Sequence, residues 1–299
     1  MSAGSIISGA FRLVRERPAA IAVWGFVYMV AVVGLSFAMR PVAALQGLGA
    51  NTNPQMMAAN MSALFGRLSL FGIAFLLLFV ILMTAAQRAV LRPADQGFFY
   101  IRVGMDELRM LAVALVLIIS SYGAIILGAV IFGLAVALVT AGGGSVAMVA
   151  FVIIGILLML GAMIWFQVRL SLAYPLTLIR GRIIIGESWR LTRGRFWSLF
   201  GAYFVIYLIV FAVSMVGSMV TSGAYFAELM RSAANPEAVQ QAAQAQMARQ
   251  FGSITVITVI GWLLSGVVGA LTVGLGGGVV ASAARELAPD QDMLAQTFA

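Results

Sequence analysis

The sequence contains no cysteine, no histidine and no lysine. Without cysteine there is no disulfide, no thiolate nucleophile and no cysteine metal site. Without histidine there is no imidazole base or imidazole ligand. Without lysine there is no Schiff-base amine and no P-loop lysine. Charge is scarce as well: 9% of the 299 residues are charged, where a soluble domain has about 25%. No aspartate or glutamate falls within any of the six long apolar runs. Carboxylates inside a membrane usually mark proton or cation coupling, so their absence argues against an ion-coupled pump. No G-x-S-x-G, H-E-x-x-H, Walker or Rossmann pattern occurs. The expectation is a non-catalytic chain with no cofactor and no metal.

What the chain has in excess is apolar length. It is 63% hydrophobic, and several runs exceed the ~20 residues needed to cross a hydrocarbon core. The reading is an all-α polytopic membrane protein, one integral domain over residues 1–299. Six spans are expected, at about 19–39, 68–86, 110–139, 146–166, 196–220 and 254–284. The third, 30 residues without turn chemistry, reads as one long tilted helix. A signal peptide competes for the first run, but its apolar region would be shorter, so an uncleaved span is preferred. Asn53-Pro54 and Asn235-Pro236 read as helix caps with proline at the first helical position. Residues 141–145, AGGGS, read as a tight uncharged turn.

Three amphipathic surface helices are expected, over about 4–17, 98–109 and 183–195. The third, in IIIGESWRLTRGRFWSLFGAYF (183–204), combines Arg190, Arg193 and Arg195 with Trp189, Phe196, Trp197 and Phe200 at three- and four-residue spacings. It reads as a helix on the membrane surface that bends into the fifth span. Tryptophan beside arginine suits the headgroup zone, where an amphipathic ring and a snorkelling guanidinium both find partners.

An internal repeat underlies this pattern. FRLVRER (11–17), with Arg12, Arg15 and Arg17, matches WRLTRGR (189–195). Each copy leads into a span, then Asn-Pro, an alanine- and glutamine-containing helix and Phe-Gly, at 65–66 and 251–252. Spans two, four and six each end in arginine followed by proline: Arg88/Pro93, Arg169/Pro175 and Arg285/Pro289. IRVGMDELRML (101–111) is a degenerate middle copy, so the chain reads as three units of one surface helix and two spans.

All 18 basic residues are arginine, and the net charge is +8. Fourteen of them lie in the N-terminal segment, residues 87–109, residues 169–195 and the C-terminal segment; Arg40, Arg67, Arg231 and Arg249 lie on the other side. The positive-inside rule then puts both termini in the cytoplasm. Topology accounts for the charge better than nucleic acid does, and no nucleic-acid partner is expected. The arginines are read either as this topology signal alone or as a site for anionic lipid headgroups or a membrane partner, a second copy included. The lipid-binding candidates are Arg12, Arg15, Arg17, Arg169, Arg190, Arg193 and Arg195.

The sixth span carries Gly266, Ala270, Gly274 and Gly278 at four-residue intervals. Small residues on one ridge let helices approach closely. The expected partner is the fifth span, with Ser214, Ser218 and Ser222 at the same spacing.

RLSLAYPLTLIRGRIIIGESWRLTRGRFWSLFGAYF (169–204), with its arginine, proline and SWRLTRGRFW elements, resembles bacterial YciC-like multipass proteins and the membrane domain of glycerophosphodiester phosphodiesterases. AFRLVRERP (10–18) fits the start of those proteins. The resemblance covers about half the chain and implies a bacterial inner-membrane protein. It implies no hydrolase activity, because the phosphodiesterase barrel needs histidines. Two functions are expected in turn: a non-catalytic module that binds anionic lipid or a membrane partner, or a transporter or channel for a small or lipidic solute.

Overall fold

A computed structural model describes residues 2–46, 54–95, 97–141, 146–232, 235–251 and 254–288. Among them every regular element is α-helical: α1 Ala3–Glu16, α2 Pro18–Gln46, α3 Pro54–Leu91, α4 Met105–Ala141, α5 Val146–Leu170, α6 Ala173–Arg180, α7 Gly186–Leu191, α8 Phe196–Ser232, α9 Pro236–Phe251 and α10 Val256–Leu287. Six segments, built on α2, α3, α4, α5 with α6, α8 and α10, are long and apolar enough to cross a membrane.

Local chemistry explains most boundaries. Ser2 and Ser5 form a reciprocal capping box that starts α1, which satisfies two amides that would otherwise lack partners. Pro18 opens α2, where its missing N–H costs nothing. The Asn235 side chain accepts hydrogen bonds from the amides of Glu237 and Ala238 at the start of α9; Asn53 and residues 142–145 lie outside the described residues. The third span is one helix, as its uninterrupted apolar run requires. The fifth helix runs on to Ser232, twelve residues past its expected end.

The fold is organised around α10, which packs on α2, α1, α8, α3 and α6. Its glycines make that possible on several faces. A Cβ on Gly266 would lie 3.2 Å from the Gly25 carbonyl oxygen, and one on Gly274 would lie 2.5 Å from Ile21. One on Gly278 would lie 3.2 Å from the Cα of Ala10, and one on Gly277 would lie 2.6 Å from the Ala86 side chain. The ridge Gly266, Ala270, Gly274, Gly278 thus receives α2 and α1. α8 packs on α10 as expected, but neither on this ridge nor through its serine row. Ser214 and Ser218 hydrogen-bond to carbonyls of their own helix, and Ser222 accepts from Gln246 of α9. Their spacing is occupied with local and α9 bonds. α8 reaches α10 through Leu199, Ala202, Tyr203 and Ile206 instead, in one core with Leu275 and Val279.

The surface helices also need correction. Residues 97–104 are turns and irregular backbone, and helix begins only at Met105, continuous with the span. Two side chains hold this segment: Trp24 Nε1 donates to the Phe99 carbonyl at 3.0 Å, and Arg88 donates to the Tyr100 carbonyl at 2.7 Å. Phe99 and Tyr100 sit at φ +50° and +64°, a region that bulky residues rarely occupy without such support. Over 183–195 only Gly186–Leu191 is helical, followed by a turn in which Gly194 has φ +77°. Trp189 therefore does not share a face with Phe196 and Phe200. It packs edge-on against Trp165, while Phe196 and Phe200 stack on each other. α1 does form as expected, but Ile6, Ala10 and Leu13 are buried against protein.

Candidate functional site

Chain direction brings α1, residues 92–104, α6, α7 and the C-terminal end of α10 to one end of the bundle. Contacts tie these parts together: Arg17 lies over the Tyr100 ring at 5.8 Å, and Arg92 donates to the Leu178 carbonyl at 2.5 Å. Fourteen arginines belong to this end, and the structure divides them by what they touch.

Five are engaged in ion pairs. Arg88 is 2% exposed and donates to Glu107 at 2.5 Å; Asp106 receives Arg92 and Arg109, each at 3.2 Å. Arg180 pairs with Glu187 at 3.2 Å, and Arg102 approaches Asp95 at 4.0 Å. A buried guanidinium is tolerated only with its charge paired and its protons bonded. Arg88 meets both conditions, with Glu107 on one side and the Tyr100 carbonyl on the other. This network clamps the second span to the third.

Arg169 has a different role. Its guanidinium lies 5.3 Å from the Trp165 ring and 5.4 Å from the Trp189 ring, and it donates to the Trp189 carbonyl at 3.3 Å. Its own carbonyl accepts from the Ser188 and Thr192 hydroxyls. Arg169 thus lies beside two indoles that meet edge-on and fastens α7 to the end of α5.

Arg12 and Arg17 of α1 meet Arg285 of α10 in a cleft of about 270 Å³, whose remaining wall includes Glu16, Val90 and Pro93. Three guanidinium groups face one carboxylate there. None of the four groups is in an ion pair among the described residues. The cleft can accept a phosphate-sized anion, since arginine binds phosphate oxygens through paired N–H groups. Arg15, Arg182, Arg190, Arg193 and Arg195 are exposed outside it. Sequence reading named Arg12 and Arg17 but missed Arg285, treated only as the end of a span. Antiparallel packing of α1 on α10 brings them together, and no local pattern announces it.

A second feature lies deeper. α3, α4, α5, α6, α8 and α10 enclose a cavity of about 580 Å³. Thr84, Gln87, Gln167, Ser171, Tyr174 and Tyr203 supply polar groups to it, and no charged residue lines it. Gln167 donates to Ser121 across α4 and α5 at 3.0 Å, and Ser171 and Tyr203 share a hydrogen bond of 2.9 Å. These two pairs tie α5 to α4 and the α5–α6 turn to α8. Thr84 instead donates to the Val80 carbonyl of its own helix. Among the described residues no group of three or more acidic side chains is placed to hold a metal ion.

Comparison of the chain with protein-family models, with curated proteins and with solved structures finds no match.

Proposed function

We propose that this chain is a bacterial inner-membrane protein, both termini in the cytoplasm, that binds anionic lipid headgroups at its arginine-bearing end and catalyses no reaction. The observation that carries the reading is the cleft in which Arg12, Arg17 and Arg285 outnumber the single carboxylate of Glu16. The arginines around it that form ion pairs are clamps within the bundle. Those at the cleft keep their hydrogen-bonding capacity for an outside anion. A repeat of the outer units, each a surface segment and two spans, is part of this reading and rests on the match of 11–17 with 189–195; the middle unit has no separate surface helix. Arg15, Arg190, Arg193 and Arg195 extend the same positive surface, so a membrane partner with an acidic face or a second copy would meet it as well.

The test is native mass spectrometry of the full chain with phosphatidylglycerol or cardiolipin. A basic residue near an anionic leaflet contributes about 1 kcal/mol. Replacing Arg12 and Arg285 by glutamine should therefore weaken retention by about 30-fold. Replacing Arg40 and Arg231, at the far end, should leave it unchanged. Equal retention in both variants would reduce the arginines to a topology signal. A transporter or channel for a small or lipidic solute is the second reading, favoured by the cavity among α3, α5 and α8. Saturable flux in proteoliposomes would support it.

A further inference from the structure

We propose that the cavity is a binding site for a neutral lipid whose headgroup donates hydrogen bonds, such as an acylglycerol with free hydroxyls. This site is separate from the arginine cleft and takes a different ligand.

Two helices, α3 and α5, set its polarity. Along α3 the lining passes from Leu76 and Phe79 to Thr84 and Gln87; along α5 it passes from Leu160 and Ile164 to Gln167 and then Ser171 just beyond. α4 and α8 run the other way and contribute Ile118 and Phe204 at the deeper level. Tyr207 of α8 brings a hydroxyl to the deeper level; the other polar groups, Thr84, Gln87, Gln167, Ser171, Tyr174 and Tyr203, collect toward the arginine-bearing end. A volume of about 580 Å³ falls within the roughly 300–1,000 Å³ usual for small-molecule sites.

The chemistry of the polar end selects the headgroup. Gln87 is 2% exposed, lines the cavity, and its Oε1 has no hydrogen-bond partner among the described residues. A buried carbonyl oxygen left unpaired costs about as much as a lost hydrogen bond. A half-turn of the carboxamide exchanges its oxygen and its NH2, so the group that satisfies it carries a hydroxyl, which both donates and accepts. No arginine, aspartate or glutamate lines the space. A phosphate or ammonium headgroup would be stripped of water there without compensation. The ligand is therefore uncharged and hydroxyl-bearing, with a chain that follows the apolar wall.

Entry is from the side. Leu160 and Ile164 of α5 and Phe204 and Tyr207 of α8 line the cavity and are also exposed on the outside of the bundle. A lipid in the bilayer reaches the site between these helices without crossing water.

The experiment measures retention of dioleoylglycerol by the full chain in native mass spectrometry, with dioleoyl phosphatidylglycerol as competitor. Wild type should hold one dioleoylglycerol saturably, undisturbed by equimolar phosphatidylglycerol. Gln87→Leu removes the acceptor at similar volume and should weaken retention about tenfold. Ile164→Trp, at an exposed position beside the opening, should weaken it at least as much. Arg12→Gln with Arg285→Gln should leave it unchanged while phosphatidylglycerol retention falls, so the two sites fail separately. Retention that Gln87→Leu and Ile164→Trp both leave at the wild-type level overturns the proposal, as does displacement by equimolar phosphatidylglycerol. Should Gln87→Leu not fold, Ile164→Trp decides alone by the same criterion.

Discussion

At the scale of single residues, the arginines of this chain have three different physical roles, although they share one side chain. Arg88 is a buried partner of Glu107, Arg169 lies against the rings of Trp165 and Trp189, and Arg12 keeps its guanidinium free at a cleft. Arg88→Met should be the most damaging of the three, because it strands Glu107, itself 6% exposed, without its partner. Breaking a buried pair in this way costs about 3 kcal/mol or more. Adding Glu107→Gln should recover part of the loss, since the stranded charge is then gone. Thermal melts in detergent check both, and a double variant no more stable than Arg88→Met would contradict the account. Arg169→Lys should lower the melting temperature despite keeping the charge, because a compact, strongly hydrated ammonium suits contact with two indole rings less well than a guanidinium.

Among elements, α10 decides the fold. Its small residues were visible as a ridge, and α8 does pack on α10 as expected, but the ridge itself receives α2 and α1. A four-residue spacing says that a helix can be approached closely. It does not say by which helix, and the serines of α8 matched the spacing while meeting their hydrogen-bonding needs elsewhere. Gly25, opposite the ridge, carried no signal because a lone glycine in an apolar run is common in membrane helices. A Cβ there would lie 2.7 Å from the Gly266 carbonyl oxygen, a backbone atom that cannot swing aside, whereas Gly34 has nothing within 4 Å. Gly25→Ala should therefore lower the melting temperature in detergent and Gly34→Ala should not. Gly274→Leu and Gly278→Leu should be worse than Gly34→Leu by the same comparison, since Ile21 and Ala10 stand where the side chain must go. Equal melting temperatures across these pairs would dismiss the packing argument.

For the whole molecule, the governing quantity is the asymmetry of its two ends. Along α10, Trp262 and Arg285 are about 34 Å apart at ~1.5 Å per residue, close to the ~30 Å of a hydrocarbon core. Trp262 bonds to Ser36 near Arg40, which lies over Phe37 at 4.1 Å. An aromatic and arginine pairing thus marks the far end as Trp165, Trp189 and Arg169 mark the near one. With 14 arginines at one end and four at the other, reporter fusions at Ser2, Ala94, Gly181 and Thr297 should signal cytoplasm. Fusions at Asn51, Gly143 and Gln241 should signal the outside. A cytoplasmic signal from Gly143 would remove the six-span arrangement.

The sequence by itself determined the helical class, the six apolar stretches and the cap at α9, because each depends on residues close together in the chain. Hydrophobic length and capping are local properties, and the bilayer's thickness sets the scale against which length is read. Pairing of arginines was only half legible. Asp106 and Glu107 open one helix and Arg88 and Arg92 close the one before it, so opposite charges flank one loop, yet the same residues also fitted an amphipathic surface helix. That choice went to the tertiary structure, where Trp24 and Arg88 draw the backbone of Phe99 and Tyr100 into the bundle. The arginine cleft and the cavity were beyond reach for the same reason. Arg12 and Arg285 are separated by most of the chain, and Gln87 is left unpaired only because six helices close around it. Which charge is paired, and which polar atom has no partner, is decided by helices meeting in space.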